Sequence, residues 1–245
     1  MKNFRLPQIE FDEAAHVYTV AGRRTQSVTT VLKEIKPEFD AQRMSLRVAR
    51  RTGRRQEQIL AEWAEKGRVA RDMGHEVHKH IEDTIRYSKQ MEMNGVLPPV
   101  PMRNETRAFN EWWAGAKESL SFLAAEYMVA DTELGVAGTV DAFFESSKSG
   151  MRICMDWKTG KQFRCGRDSY DDLLAPFEDL PNNEFHVYSL QCSIYRLIME
   201  RAGGEETGDP FILWLPPEGE AQYFRAMDLR DRVEAWLRGR KARES

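Results

Sequence analysis

The side chains with the clearest chemical potential lie in the stretch 138–161. It reads as two strands, G-T-V-D-A-F-F-E and M-R-I-C-M-D-W-K-T-G-K, joined by a polar turn over 146–150. Asp156 and Lys158 are two positions apart, so on a strand both side chains leave the same face. A carboxylate holds a hard divalent cation through oxygen, and a neighbouring lysine orients an attacking water and offsets charge on a phosphate. With Asp141 as a second oxygen ligand, the pattern predicts metal-dependent phosphodiester hydrolysis.

The motifs G-T-V-D and D-W-K-T-G resemble motifs II and III of the PD-(D/E)XK nuclease superfamily, in its RecB-like exonuclease branch. The resemblance implies that Asp141 and Asp156 are the metal-site acids and that Lys158 is the catalytic lysine. It also implies the backbone carbonyl of Trp157 as a metal ligand. Mg²⁺ or Mn²⁺ is the expected cofactor.

The segment G-H-E-V-H-K-H-I-E resembles motif I of the same family. The matching residues are Gly74, Val77, His78 and Glu82. His78 and Glu82 are four apart and share one helix face, which makes His78 a candidate metal ligand and Glu82 an accessory acid. The arginine that normally precedes the glycine is displaced to Arg71, a candidate DNA contact. Zinc is a poor alternative, because His75 and His78 are three apart and do not form H-E-x-x-H.

Two further positions complete the resemblance. Gln191 and Tyr195 fit the Q-x-x-x-Y motif that follows motif III in RecB-like nucleases, and their spacing lets both reach the same strand end. The family implies that Gln191 hydrogen-bonds near the nucleophile or substrate, and that Tyr195 contacts DNA or buttresses the site. Glu126 stands where many members carry a glutamate. A role near the metal and a solvent-facing strand position are both open for it.

Arginines are concentrated between 43 and 55, with no acid until Glu57. Such a segment either follows phosphates or forms a solvated helix face, and the sequence leaves both readings open. The candidate DNA contacts are Arg47, Arg50, Arg51 and Arg54 in this segment, with Arg164 and Arg167 in the polar loop 162–183.

Composition narrows the class of protein. Among 245 residues, 41% are hydrophobic, which is enough for one large domain with its own core. No apolar run is long enough to span a bilayer, and the first residues lack the apolar core of a signal peptide, so no membrane partner is expected. The formal charge of -3 does not by itself indicate a nucleic-acid partner. We expect a single nuclease domain over 1–245, with an N-terminal hairpin and basic helical segment over 1–66 and the core over 67–245.

Cysteine content bears on compartment and cofactor. The three cysteines, Cys154, Cys165 and Cys192, are an odd and scattered set. They favour a reducing cytoplasm over a disulfide scaffold. No iron–sulfur cluster is expected, because the four-cysteine pattern found in some RecB-like nucleases is missing from the sequence.

Periodicity and breaker residues predict the order of elements. The expected strands are Ile9–Phe11, His16–Val20, Leu123–Ala130, the two strands within 138–161, Phe211–Leu215 and Gln222–Met227. The expected helices are one capped by Ser27, then 40–66, Arg68–Tyr87, Glu105–Phe122, Glu184–Arg201 and Asp228–Arg240. Gly67 is expected to break the helix before motif I. Loops are expected at 162–183 and at 87–103, the second hanging over the site as a flap.

These elements favour an α/β fold with a mixed central β-sheet flanked by helices, an N-terminal hairpin and a helical insertion. The resemblance implies a restriction-endonuclease-like core. It also implies a DNA exonuclease acting on single strands or duplex ends in phage or prophage recombination, replication or repair, in the bacterial cytoplasm, with a single-strand annealing or binding protein as a partner. One alternative is a non-cutting nucleic-acid-binding module with a nuclease-like fold. A sequence-specific restriction endonuclease is the weaker third.

Overall fold

The computed structural model of the protein describes residues 9–12, 17–94, 100–203 and 206–244. It confirms the expected fold class, a mixed sheet of eight strands flanked by helices. The strands are β1 (Ile9–Asp12), β2 (Val17–Val20), β3 (Arg23–Ser27), β4 (Leu120–Asp131), β5 (Val136–Ser146), β6 (Arg152–Thr159), β7 (Phe211–Leu215) and β8 (Gln222–Arg225). The helices are α1 (Val28–Lys33), α2 (Ala41–Thr52), α3 (Gln56–Asn94), α4 (Asn104–Ala116), α5 (Glu184–Gly203) and α6 (Arg230–Glu244).

Strand β5 is the centre of the sheet because it has three partners. Antiparallel β4 follows one edge of β5 along its whole length, from Val136 to Ser146. Parallel β3 and antiparallel β6 must therefore share the other edge. β3 reaches only Ala137, and β6 begins to pair at Ala142, so the edge over 138–141 faces neither strand. Beyond β6 the sheet continues through parallel β7 to antiparallel β8.

The sheet separates two hydrophobic cores. On one face, α3 and α4 pack against the strands through residues that include Val77, Ile81, Phe109 and Trp157. On the other face, α1, α5 and α6 pack through residues that include Val31, Ile194, Phe143 and Leu237. Covering both faces of the central strands leaves the strand ends as the accessible part of the sheet.

Several predicted helix boundaries were wrong. The break expected at Gly67 falls inside the continuous helix α3. A single glycine costs a helix only about 1 kcal/mol, which its helix-forming neighbours outweigh. The same helix continues to Asn94, so the first part of the loop expected at 87–103 is helical, and 95–99 lie outside the described residues. The interruption falls earlier, at Gly53, which ends α2 in the left-handed conformation at a φ of +69°.

Other elements also differ from the expectation. Helix α4 ends at Ala116, because Leu120 already pairs with Ser146 in β4. Strand β3 (Arg23–Ser27) was not predicted. The Ser27 cap is confirmed, since its Oγ accepts a hydrogen bond from the Thr30 amide at 3.0 Å. None of the described helices is both long and apolar enough to cross a membrane.

Candidate active site

The two acids of the central motifs meet where β5 and β6 separate. The last pair of that ladder is Ala142 with Met155, and Asp141 and Trp157 lie beyond it. There the Trp157 amide donates a hydrogen bond to the Asp141 Oδ2 at 2.8 Å. A side chain thus replaces the backbone acceptor that a continued ladder would supply, and the Asp141 carboxylate is fixed at the mouth of the gap.

Alternation along β6 directs its side chains to opposite faces. Trp157 packs into the core under α3 and α4, with its ring centroid 5.6 Å from that of Phe109. Asp156 and Lys158 point to the other face, toward α5. The Lys158 Nζ lies 2.6 Å from the Asp156 Oδ2, and their side chains are 18% and 4% exposed. The predicted carboxylate–ammonium pair is therefore formed and is almost wholly withdrawn from water.

A second group of ligand atoms gathers around Asp141. Single nitrogen or oxygen atoms of His78, Glu126 and Asp141 all lie within 4.8 Å of one another. The His78 Nδ1 is 3.7 Å from the Asp141 Oδ1. Helix α3 supplies the histidine because Val77 and Ile81 are fully buried against the sheet, which leaves His78 at the edge of that buried stripe.

Glu126 reaches this group through an unusual backbone conformation. Its φ is +48°, although it lies within β4. The flanking pairs, Ala125 with Ala142 and Tyr127 with Val140, put Glu126 opposite Asp141. A left-handed conformation at a residue other than glycine costs on the order of 1–3 kcal/mol and is most often found at functional sites. Of the two roles left open for Glu126, this geometry favours the one near Asp141.

The local electrostatics are those of crowded acids. Burial raises the pKa of Asp156 to about 6; the Lys158 charge opposes this rise and the Asp141 charge adds to it. Burial also raises the pKa of Asp141, and burial followed by the Asp141 charge raises the pKa of Glu126 to about 7. Burial and then the Lys158 charge lower the pKa of His78 to about 4. The imidazole is therefore neutral at pH 7 and retains a lone pair for a metal.

A divalent cation fits this set of donors. The Asp156 Oδ2 is buried beside the Lys158 Nζ at 2.6 Å, and that one ammonium faces the charges of both Asp156 and Asp141. A second cation would offset the acid charge that Lys158 alone leaves. Burial raises the pKa of Asp141, Asp156 and Glu126, and the Asp141 charge adds to the rise at the other two, so a cation would stabilise the charged form of each. The donors, carboxylate oxygens and one imidazole, suit Mg²⁺ or Mn²⁺.

Gln191 and Tyr195 lie directly behind the acids. The Gln191 Nε2 is 3.3 Å from the Asp156 Oδ1 and 3.2 Å from the Tyr195 hydroxyl, donating to both. Both side chains are buried. The Tyr195 ring lies so close to the β5 backbone that a Cβ at Gly138 would be 2.7 Å from its Cε1. The two α5 residues therefore hold the Asp156 carboxylate from behind, and the glycine of G-T-V-D makes room for the tyrosine.

Tyr188 is a residue of the site that sequence reasoning missed as a functional residue. Its ring centroid lies 4.5 Å from the Lys158 Nζ, within range of a cation–π contact. Burial would lower the pKa of Lys158, but the Asp156 and Asp141 charges outweigh it and raise that pKa. Tyr188 stands three positions before Gln191 on α5, so the helical period could have placed it on the same face.

The predicted arginines of the basic segment fall into two groups. Arg47, Arg50 and Arg51 are exposed on α2, and no carboxylate of the described residues pairs with them. Arg54 forms an ion pair with Glu62 and also donates a hydrogen bond to it. The three unpaired residues are available to an external anion, whereas Arg54 is already engaged.

The remaining predicted residues lie farther from the acids or are committed elsewhere. The Arg164 Nε and Nη2 each donate to the Glu184 carboxylate at 2.9 Å, which fastens the loop 162–183 to the start of α5. Arg71 and Arg167 are exposed. Glu82 pairs with Arg86 at 2.6 Å and is outside the His78, Glu126 and Asp141 group.

Comparison with known proteins leaves the functional argument to this geometry. Neither a family model nor a curated protein sequence matches the chain. A solved structure of a candidate exonuclease from Eubacterium rectale is similar, with 13% identity, a TM-score of 0.42, and coverage of 71% of this chain and 65% of that one. A protein designated SSO0001 shows 12% identity and a TM-score of 0.28 over 69% of this chain and 75% of the other. The chain thus spans less than two thirds of the first structure, and neither likeness is strong enough to carry an argument.

Proposed function

We propose that the protein is a metal-dependent deoxyribonuclease. The observation that carries the proposal is the convergence of His78, Glu126 and Asp141 beside the buried Asp156–Lys158 pair. Structural ion pairs are common in proteins, but a neutral histidine among carboxylates with raised pKa values is a poor stabiliser of a fold. The free energy that this arrangement costs the fold is better explained if the residues bind a cation.

His78, Asp141, Asp156 and the Trp157 carbonyl would hold Mg²⁺ or Mn²⁺, with Glu126 as a further carboxylate in reach. The bound ion would supply Lewis acidity toward a phosphate oxygen and a lower pKa for a bound water. The chain itself orients the acids. The Trp157 amide fixes Asp141 and the Gln191 amide fixes Asp156, so that neither carboxylate has to reorganise when the substrate arrives.

Lys158 is the residue that would act on the scissile phosphate. Its ammonium has donors only, so it is not a metal ligand. Contact with Asp156 and the Tyr188 ring holds it in one orientation, and the carboxylates keep it protonated. A fixed positive charge in a site withdrawn from water stabilises the charge that develops on a phosphate in the transition state.

A groove beside α2 supports nucleic acid as the substrate. It encloses about 920 Å³ between α2 and the loop 162–183, and its walls include Arg43, Arg47, Arg50, Phe39 and Tyr170. Tyr170 is 93% exposed and Phe39 is 64% exposed. Exposed rings beside arginines suit unpaired bases, whose stacking on an aromatic side chain is worth about 1–3 kcal/mol per base. Glu38, Asp40 and Asp171 also line the groove. These acids offset part of the attraction between the arginines and phosphates, so binding there would depend on base stacking as well as on charge.

The groove touches α3, the helix that carries His78, through Phe39. Phe39 packs on Trp63 of that helix with ring centroids 5.7 Å apart. Trp63 precedes His78 by fifteen positions, which is about 22 Å along a helix. A strand lying in the groove would have its end, or a nearby linkage, within reach of the acids. Following the resemblance of the motifs to RecB-like nucleases, we propose exonuclease over endonuclease action, in phage or prophage recombination, replication or repair, alongside a single-strand annealing or binding protein.

Digestion of end-labelled oligonucleotides tests the proposal. Single- and double-stranded substrates labelled at the 5′ or the 3′ end are incubated with Mg²⁺ or Mn²⁺, and Asp156→Ala serves as the inactive control. The proposal expects progressive shortening from an end that requires the cation and is abolished in the control. If the wild-type protein binds these oligonucleotides but cuts none of them with either cation, it is a binding module instead.

A further inference from the structure

A second cavity lies beside strand β3. It encloses about 800 Å³ between β3, α1, the turn that joins β4 to β5, and the end of α6. Four of the side chains that line it are cationic: Arg23, Arg24, Lys33 and Lys241. Hydroxyl groups of Thr30 and Thr132 add neutral donors.

No carboxylate is among the side chains that line this cavity. A shortage of acidic residues does not explain this absence, because the chain has 39 acidic and 36 basic residues. Within the described ranges, Arg23, Arg24 and Lys33 form no ion pair. Glu34, the residue after Lys33, instead forms an ion pair with Arg240, whose Nε lies 2.9 Å from the Glu34 Oε2. Among the described residues, Arg23, Arg24 and Lys33 therefore add positive charge to the cavity without a paired carboxylate.

The wall opposite Arg24 is held in place. The Lys241 Nζ donates a hydrogen bond to the Thr132 carbonyl, which ties the end of α6 to the turn before β5. On the near wall, the Gln26 side chain accepts a hydrogen bond from Arg240 at 2.6 Å. The cavity is thus framed by fixed contacts between distant parts of the chain, which a flat solvated face would not need.

We propose that this cavity is a second phosphate-binding site, and we infer that its ligand is a backbone phosphate of a nucleic acid held by the same molecule at its active site. Arginine forks match phosphate oxygens in pairs, and lysine adds a point charge. The inference rests on the proposed function, since it takes its ligand from that substrate.

Position along β5 relates the cavity to the acids. β3 runs parallel to β5, and Ser27 pairs with Ala137. The cavity lies beside the start of β5, and Asp141 follows Val136 by five residues, which is about 17 Å along a strand. The cavity lies beside the amino end of β5, and Asp141 lies at the middle of that strand. A nucleic acid extending past the acids toward β3 would therefore meet these cations a few nucleotides from the scissile linkage.

Binding measured without metal tests this inference separately from catalysis. The full-length protein in EDTA is titrated with an oligothymidylate of about twelve nucleotides, the upper part of the range that single-strand sites cover. The test variant is Arg24→Gln/Lys33→Gln, and the matched control is Lys117→Gln/Lys148→Gln, which removes the same charge from exposed positions elsewhere. All four positions are exposed, and thermal unfolding verifies that each variant is folded.

The inference expects the test variant to bind the oligonucleotide about tenfold more weakly and to lose about 0.7 unit of salt slope per cation removed, with the control unchanged. Equal affinity of test and control variants would overturn it. Inorganic phosphate is titrated in a parallel arm. If phosphate binds and is lost in the test variant while the oligonucleotide binds both variants alike, the site takes a free phosphate and the backbone assignment fails.

These outcomes are independent of cleavage. Should the wild-type protein fail to cut DNA with metal while the test variant still loses oligonucleotide affinity, the proposed enzyme function fails and the second site stands. Should the wild-type protein cut and the two variants bind alike, the second site alone fails.

Discussion

Asp141 is held by the backbone of Trp157, whose amide donates to its Oδ2 at 2.8 Å, while its Oδ1 faces the His78 ring at 3.7 Å. One carboxylate thus joins the motif on β5, the motif on β6 and the helix α3. The arrangement exists because β5 and β6 stop pairing one residue earlier. A longer ladder would have used that amide and left Asp141 without a fixed orientation.

Replacing Lys158 should separate catalysis from binding. Lys158→Ala removes the ammonium beside Asp156 but leaves His78, Glu126 and Asp141 in place. We expect DNA and Mn²⁺ binding to be retained, with Mn²⁺ bound somewhat more tightly because a nearby positive charge is gone. The cleavage rate should fall by about a hundredfold or more, the typical loss for one well-placed donor. Single-turnover cleavage of a labelled oligonucleotide measures it.

Lys161→Ala is the matched control, since Lys161 is exposed and lies three residues farther along the chain. Its rate should remain that of the wild type. A normal rate in Lys158→Ala would mean that D-W-K-T-G is not the catalytic centre and would favour the binding-module alternative.

Gly138→Ala should perturb the site through Tyr195. The added methyl group would lie 2.7 Å from the ring and 3.3 Å from the Val28 Cγ2, so a buried side chain has to move. We expect a loss of about 1–3 kcal/mol in the free energy of unfolding. Gly115→Ala is the control, because nothing lies within 4 Å of a Cβ there, and its free energy should rise by up to about 1 kcal/mol. Urea denaturation of both variants measures the two free energies of unfolding. Equal values would contradict the close packing of the Tyr195 ring on Gly138.

The three unpaired arginines of α2 should contribute to DNA affinity through phosphates. Replacing Arg47, Arg50 and Arg51 with glutamine should weaken binding and reduce the salt slope by about 0.7 per lost contact on a single strand. The control replaces Arg107, Lys148 and Arg238, which are exposed on other elements. Fluorescence anisotropy over a range of salt concentrations measures both. A slope that is the same in the two triple variants would make the α2 arginines a solvated face.

The sequence predicted the site better than it predicted the helices. Asp141, Asp156, Lys158, Gln191 and Tyr195 were expected near one strand end, and spacing was enough because strands and helices repeat with fixed periods. Those residues do converge, and Glu126 joins them. Whether they bind metal and cut DNA stays a prediction.

The errors arose where a local signal competed with tertiary contacts. Gly67 resembles a helix breaker, yet α3 passes through it, because α3 packs on the sheet and on α4 over a long stretch. The left-handed conformation of Glu126 has no local signal, since glutamate is not a residue that favours it. The helical period puts Tyr188 on the same face as Gln191, but its contact with Lys158 depends on how α5 packs on β6.

His186 should make folding stability depend on pH. Its ring is buried, with Nδ1 2.7 Å from the Asn183 Oδ1, and burial lowers the pKa of His186 from its usual value near 6.5. Below that value the unfolded chain binds a proton that the folded protein resists, so stability falls as the pH drops. Urea denaturation in EDTA between pH 7.5 and 5.5 should show a shallower loss in His186→Asn than in the wild type. Identical pH slopes would contradict this account of His186.

Mn²⁺ binding is the most direct test of the central claim that the acids and His78 form a metal site. Calorimetric titration of the full-length protein should show binding that is strongly weakened in Asp141→Ala and in Asp156→Ala, since each loses a carboxylate ligand. Glu118→Ala serves as the control because Glu118 is exposed between α4 and β4 and is none of the proposed ligands, and it should bind Mn²⁺ like the wild type. Unchanged Mn²⁺ affinity in both aspartate variants would contradict the claim.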